Sequence, residues 1–272
     1  STRVYAESLL MLCSLGAWIS AGRLLDVERP ASHASESHRS GVALASITGG
    51  LLALAWLAKG TGLLLLAGTL AAVLVAAVRS SPTAGWRRGL VRCVLILTAF
   101  VAVGSPLLIR NLRRFGSPFY NVNSQLLFVD EYADPAALAA EQTTSEAARG
   151  YWATHTVGQM LWREAHGCVW ETYILLRSLG PAPLDDGRIL FGFPIGLLAL
   201  LGLLTSPRFP GKLTGVWTLL LWLMFAWYVP IAAGERFLIP LLIPLLLAAA
   251  VGMARLLMLV FPEGVPSPET GD

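Results

Sequence analysis

The stretch Ala55-Trp56-Leu57-Ala58-Lys59-Gly60-Thr61-Gly62-Leu63 sets one lysine and two glycines between two long apolar runs. Upstream, residues 42–58 are apolar apart from Ser46 and Thr48; downstream, residues 63–78 carry nothing more polar than Thr69. Each run approaches the roughly 20 residues that cross a hydrocarbon core. A hairpin turning over at Lys59 therefore pins a cation at a membrane surface, and the flanking glycines leave that short turn little freedom to snorkel.

Composition points the same way. Of 272 residues, 55% are hydrophobic and 14% charged, with a mean hydropathy of +0.64, whereas a soluble domain is about a quarter charged. The class expected is an all-α, multi-pass integral membrane protein. Cys13, Cys93 and Cys168 are an odd count at no metal-ligand spacing, so neither a disulfide framework nor a metal site is implied.

Seven apolar segments can be marked, at 4–25, 42–58, 61–78, 90–109, 189–205, 213–233 and 237–260. Each reads as a helix, because an isolated strand cannot satisfy its backbone in lipid. The chain then divides into four transmembrane helices (1–109), an extracytoplasmic segment with amphipathic interfacial helices (110–188), three more spans (189–260) and a cytoplasmic tail (261–272). Within the long segment, Asp134-Pro135 reads as an N-cap followed by proline at the first helical position, starting a short helix through Glu141. From Ser145 to Leu179, polar residues alternate with Trp152, Trp162, Trp170 and Tyr173, which suits helices lying in the interface plane.

The spans alternate direction, so the loops 26–41, 79–89 and 206–212 share a side with the tail. They hold Arg29, Arg39, Arg79, Arg87, Arg88, Arg208 and Lys212 against Asp26, Glu28 and Glu36, and the positive-inside rule makes that side cytoplasmic. Glu263 and Glu269 in the tail run mildly against it. The opposite side receives Lys59, the segment from Arg110, and Glu235-Arg236. An anion at that surface finds Lys59, Arg110, Arg113, Arg114 and Arg236 in one layer. The competing reading is that span-end cations anchor headgroups, and Glu235 neutralises Arg236 on one of two open readings. Pro240 and Pro244 remove two backbone donors within a turn, freeing carbonyls and favouring a kink. Glu7 lies just inside an apolar run, where an acid is costly. His155, His166, Asp130 and Glu131 read as solvated surface.

Several of these stretches resemble the GT-C membrane glycosyltransferases, in the branch of protein O-mannosyltransferases and the lipid A aminoarabinose transferase. Leu57-Ala58-Lys59-Gly60-Thr61-Gly62-Leu63-Leu64 is similar to that family's "fLTKGtgll" hairpin. The run from Pro106 through Arg110-Asn111 to Phe115-Gly116-Ser117-Pro118-Phe119-Tyr120 is similar to "PWllRNyllFGnPfy". Glu235-Arg236-Phe237-Leu238-Ile239-Pro240 to Leu245 resembles "RYllPllPll", and Tyr5-Ala6-Glu7-Ser8-Leu9-Leu10 resembles "tEslf". The four follow in the family's order along nearly the whole chain. Gly104-Ser105 depart from the pattern, standing where a bulky residue or Trp is usual.

The resemblance implies transfer of a sugar from a polyprenyl-phosphate donor to an acceptor protein, lipid or glycan, in the inner (plasma) membrane on its extracytoplasmic face. Membrane lipids are then partners; nucleic acid is not. Lys59 and Arg236, with Arg110, would contact the donor phosphate, and Glu7, Asn111 and Glu235 are supporting candidates. The base that activates the acceptor would lie in a first outer loop upstream of Ser1, so the chain reads as the later part of a longer protein and is expected to be inactive alone. The alternative is a transporter or flippase-like protein for a lipid-linked or anionic substrate. It would line its path with intramembrane charges, and the central parts of the spans hold almost none.

Overall fold

A computed structural model describes residues 2–26, 34–80, 84–206, 209–232 and 234–261. They form α1 (Thr2–Asp26), α2 (Ala34–Ala58), α3 (Gly62–Ser80), α4 (Ala84–Phe115), α5 (Pro135–Glu141), α6 (Thr144–Thr154), α7 (Val157–Leu179), α8 (Arg188–Thr205), α9 (Phe209–Tyr228) and α10 (Ile239–Val260). No strand occurs among the described residues. The protein is thus an all-α molecule built for a membrane. Six stretches are long and apolar enough to cross one: Tyr5–Leu25, Ser40–Ala58, Gly62–Arg79, Gly85–Phe115, Arg188–Thr205 and Ile239–Val260. Arg29, Glu28, Arg208, Glu263 and Glu269, which enter the charge comparison between the two sides, lie outside the described residues.

The expected seventh span is α9, an apolar helix that carries Lys212, three tryptophans and Tyr228 and is not among those six stretches of described residues. Connectivity nevertheless takes it across the layer. Arg188 at the start of α8 bonds Glu235 at 2.6 Å, so α8 and α10 begin at the same end. The 18 residues of α8 extend about 27 Å away, and α9 must return over that distance.

Small residues let the helices approach closely, as bilayer packing requires when lipid tails offer no hydrophobic contrast. At the α8–α10 crossing a Cβ on Gly202 would land on the carbonyl of Ala248, and one on Gly252 would land on the carbonyl of Leu198. The buried polar side chains within the six spans include no Asp, Glu, Lys, Arg or His. They are mostly hydroxyls bonded internally, such as Thr48, which donates to Leu44 O at 2.7 Å and lies 2.8 Å from Ser20 Oγ.

Two expectations about proline are corrected. The span expected to end at Ile109, weakened by Pro106, continues as α4 to Phe115. Pro106 cannot donate to the carbonyl of Ala102, four residues back, and Ser105 Oγ donates there instead at 2.8 Å. That gives the Ser105 departure a local purpose. Gly116, at φ +70°, then terminates the helix, its N–H donating to Leu112 O at 3.0 Å, the left-handed C-cap that glycine adopts without strain. At the other proline pair, the break comes before the helix rather than within it. Glu235–Phe237 is a 3-10 turn, α10 starts at Ile239, Pro240 falls in its first turn, and Pro244 lies inside a continuous helix.

The segment between α4 and α8 forms helices, as its sequence suggests. Asp134 caps α5, accepting from Ala136 N at 3.1 Å. Thr143 with Glu146, and Thr156 with Gln159, are capping boxes that start α6 and α7. The α7 helix crosses α9 at Gly167, where a Cβ would strike Ala226 O, and α8 at Gly192, where one would strike Leu176 O. It exposes Leu161, Trp162, Val169 and Trp170 on the side away from the bundle.

Close approach at Gly202 predicts that Gly202→Ala lowers the melting temperature in detergent, because a backbone carbonyl cannot yield; overpacking of this kind costs about 1–3 kcal/mol. Gly215→Ala on α9, with no atom within 4 Å of the added carbon, is expected to leave it unchanged or raise it.

Candidate functional site

The α2–α3 turn is as tight as its sequence implies. Lys59 N donates to Ala55 O at 2.9 Å, Gly62 N to Lys59 O at 3.0 Å, and Leu63 N to Gly60 O at 3.1 Å. A Cβ on Gly62 would strike the backbone of Trp56, whereas one on Gly60 would meet only Asn121 Nδ2 at 3.6 Å. Gly62 is therefore the glycine this turn requires.

The Lys59 side chain reaches across to the start of α10, where Nζ donates to the carbonyl of Arg236 at 2.8 Å. In a continuous helix that carbonyl would be served by the N–H of residue 240, which is proline and has none. The sequence frees a carbonyl and the lysine fills it. Both cations lie over the Phe237 ring, Lys59 Nζ 4.7 Å from its centroid and Arg236 Cζ 5.0 Å. The ring is held by stacking on Phe225 (4.5 Å, 22°) and by an edge contact with Tyr228 (6.1 Å, 84°).

Charge around the turn is net positive, two cations against one carboxylate. Burial pushes the Lys59 ammonium below the free-lysine value of 10.5, the Glu7 carboxylate opposes this, and the Arg236 guanidinium adds to it. Glu7, from the start of α1, thus belongs to the same cluster. One Lys59 donor is taken by the carbonyl, leaving two for a ligand, and the exposed Arg236 fork is suited to bidentate contact with phosphate oxygens.

The remaining sequence candidates lie elsewhere. Glu235 does not neutralise Arg236; it bonds Arg188 at 2.6 Å, with Arg177 at 3.6 Å, tying the start of α10 to α7 and α8. Asn111 is 2% exposed; it donates to Pro118 O and Tyr120 O at 3.4 Å each and accepts from Arg110 Nη2 at 3.0 Å. It folds the loop after α4 back so that Phe119 packs on Trp56 (5.9 Å). Arg110 shares a groove with Arg113 and Arg114, in which neither Lys59 nor Arg236 takes part. Among the described residues no three of His, Cys, Asp and Glu gather as metal ligands.

A second polar cluster escaped the sequence reading. Arg163 on α7 is 8% exposed. It donates to Val129 O (2.9 Å), Trp227 O (3.1 Å) and Tyr151 Oη (3.1 Å), with Asp130 at 3.5 Å. His155 Nε2 lies 3.1 Å from Asp130 Oδ2, and its ring stacks on Tyr151 at 3.9 Å. His155, 20% exposed, is therefore a pin of the segment, while Asp130 contacts it from the surface with its side chain 62% exposed, as its sequence context suggests. The available signal was helical phase: Arg163, Gly167 and Glu171 share the face of α7 opposite Leu161, Trp162 and Val169. Glu171 is 1% exposed, and burial raises its carboxyl to about 7.

Because Lys59 is held below 10.5 in the fold, the folded chain releases this proton before the unfolded one, and stability rises with pH between the lowered value and 10.5. The melting-temperature difference between the native chain and Lys59→Met should shift in favour of the native chain over that range; a pH-independent difference would place the ammonium in ordinary solvent. No protein-family model, curated protein or solved structure matches the chain.

Proposed function

We propose that this chain is the donor-binding part of a membrane glycosyltransferase, taking a sugar from a polyprenyl-phosphate carrier to an acceptor at the extracytoplasmic surface of the inner (plasma) membrane. What supports the reading is that Lys59 and Arg236, 177 residues apart, meet on one aromatic ring at one end of the bundle. Those two residues lie in separate motifs through which the sequence resembles the GT-C enzymes. Transfer breaks the bond between sugar and phosphate, so negative charge grows on the departing phosphate. Lys59, held in place by its bond to the Arg236 carbonyl, and the exposed Arg236 guanidinium beside it stabilise that charge. Glu7 offsets part of their charge and opposes the loss of the Lys59 proton.

The acceptor's proton needs a base, and the cluster assigns none. Glu235 is occupied by Arg188 and Arg177, and Asp130 by His155 and Arg163. The Lys59–Arg236 cluster therefore supplies only the donor half of such a site, and the base lies outside it. The interiors of the spans, lined with hydroxyls rather than charges, give a transport path little to work with.

In the full-length protein, Lys59→Ala and Arg236→Ala are each expected to reduce sugar transfer from a labelled polyprenyl-phosphate donor about a hundredfold, the usual effect of removing one charge-stabilising donor. Arg236→Lys, which keeps the charge but loses the fork, should fall between. Transfer at the native rate by both alanine variants, with unchanged melting temperatures, would remove the cluster from the donor site.

A further inference from the structure

The last turns of α4 hold a second cationic feature, of which the transferase resemblance names Arg110 alone. Arg110, Arg113 and Arg114 stand at i, i+3 and i+4, so they share a helix face. With Pro106 and Ile109 they line a cavity of ≈ 390 Å³. All three arginines are exposed, and none of them has an Asp or Glu partner among the described residues. Arg110 is braced on Asn111 Oδ1, to which Nε and Nη2 donate at 3.3 and 3.0 Å, and the Arg114 guanidinium lies 5.5 Å from the Phe115 ring. Like charges one helical turn apart repel, the more so beside a medium of low permittivity. An anion in the groove converts that repulsion into attraction.

The groove is also apolar below. Pro106 and Ile109 form its lower wall, and Ala102 and Val103, exposed one turn deeper, continue the strip down the same face. Most of this span faces outward from the bundle, with 22% of its apolar window buried. A free anion has no use for that wall, whereas a lipid does. We propose that the groove binds the phosphodiester headgroup of an anionic glycerophospholipid. Arg113 and Arg114 grip the phosphate, Arg110 closes on it from its Asn111 brace, and an acyl chain runs along Ile109 and Val103. Neither Lys59 nor Arg236 enters the proposal, and its test rests on Arg113 and Arg114, to which the transferase resemblance gives no role.

Native mass spectrometry of the full chain from bilayers containing phosphatidylglycerol and phosphatidylcholine tests this directly. One phosphatidylglycerol per chain should be retained in preference to phosphatidylcholine. R113A/R114A should weaken its retention by about tenfold or more, the loss of at least one charge-assisted contact. R87A/R88A, an exposed pair near the other end of the same helix, should retain it. If the double variant fails to fold, R113Q carries the same test alone. Equal retention of both lipids, undiminished retention by the variants, or displacement by millimolar inorganic phosphate would overturn the proposal.

Discussion

The structure depends on one charge-assisted hydrogen bond, from the Lys59 ammonium to the carbonyl of Arg236. Proline at 240 creates the need for it, and a lysine held in a tight turn meets the need. A bond of this kind contributes about 1.5–3 kcal/mol, but its position matters more than its size. It joins the α2–α3 turn to the start of α10, and Glu235 beside it carries the link on to α7 and α8 through Arg177 and Arg188. The two halves of the chain thus meet at one end of the bundle, and the cations meet because the backbone does.

The same logic recurs wherever the chain could least rely on water. Ser105 donates to the carbonyl that Pro106 leaves open in α4. Thr48, Thr69 and Thr205 donate to carbonyls four residues back within their helices. In lipid an unsatisfied polar group costs several kcal/mol, so Ser105 serves the carbonyl beside Pro106, the threonines satisfy their own hydroxyls, and glycines at crossings let backbones meet. The lateral helix α7 departs from this economy. It buries Arg163 and Glu171, with Arg163 Nη2 and Glu171 Oε1 lacking a hydrogen-bond partner.

Much of this was legible in the sequence because it rests on composition and local pattern. Apolar run length located the spans, Asp134-Pro135 marked α5, and the glycine-flanked lysine marked the turn that the functional reading rests on. Pro240 even announced a freed carbonyl, though not what would fill it. What could not be read depends on helix phase and on partners far apart in the chain. The rotation of α4 places Arg110 in a groove with Arg113 and Arg114, an arrangement in the membrane plane that depth along the spans does not fix. Glu235 lies next to Arg236 in sequence and bonds Arg188 in space. Asp130, His155 and Arg163 look like loop and surface residues until the fold of the segment brings them to Tyr151 and Trp227.

Lys59 is asked both to hold the start of α10 and to bind a phosphate, and those tasks draw on the same ammonium. Lys59 and Lys212 are the only lysines in the sequence, so labelling lysine with 15N at Nζ gives two signals. The most direct measurement is solid-state 15N–31P dipolar recoupling on this chain, so labelled, in bilayers of phosphorus-free lipid, with and without polyprenyl phosphate. Dephasing of one lysine signal when the phosphate is added, and loss of that dephased signal in Lys59→Arg, is the predicted result. A Lys59 signal that stays unchanged by the phosphate would mean that this lysine serves the backbone alone.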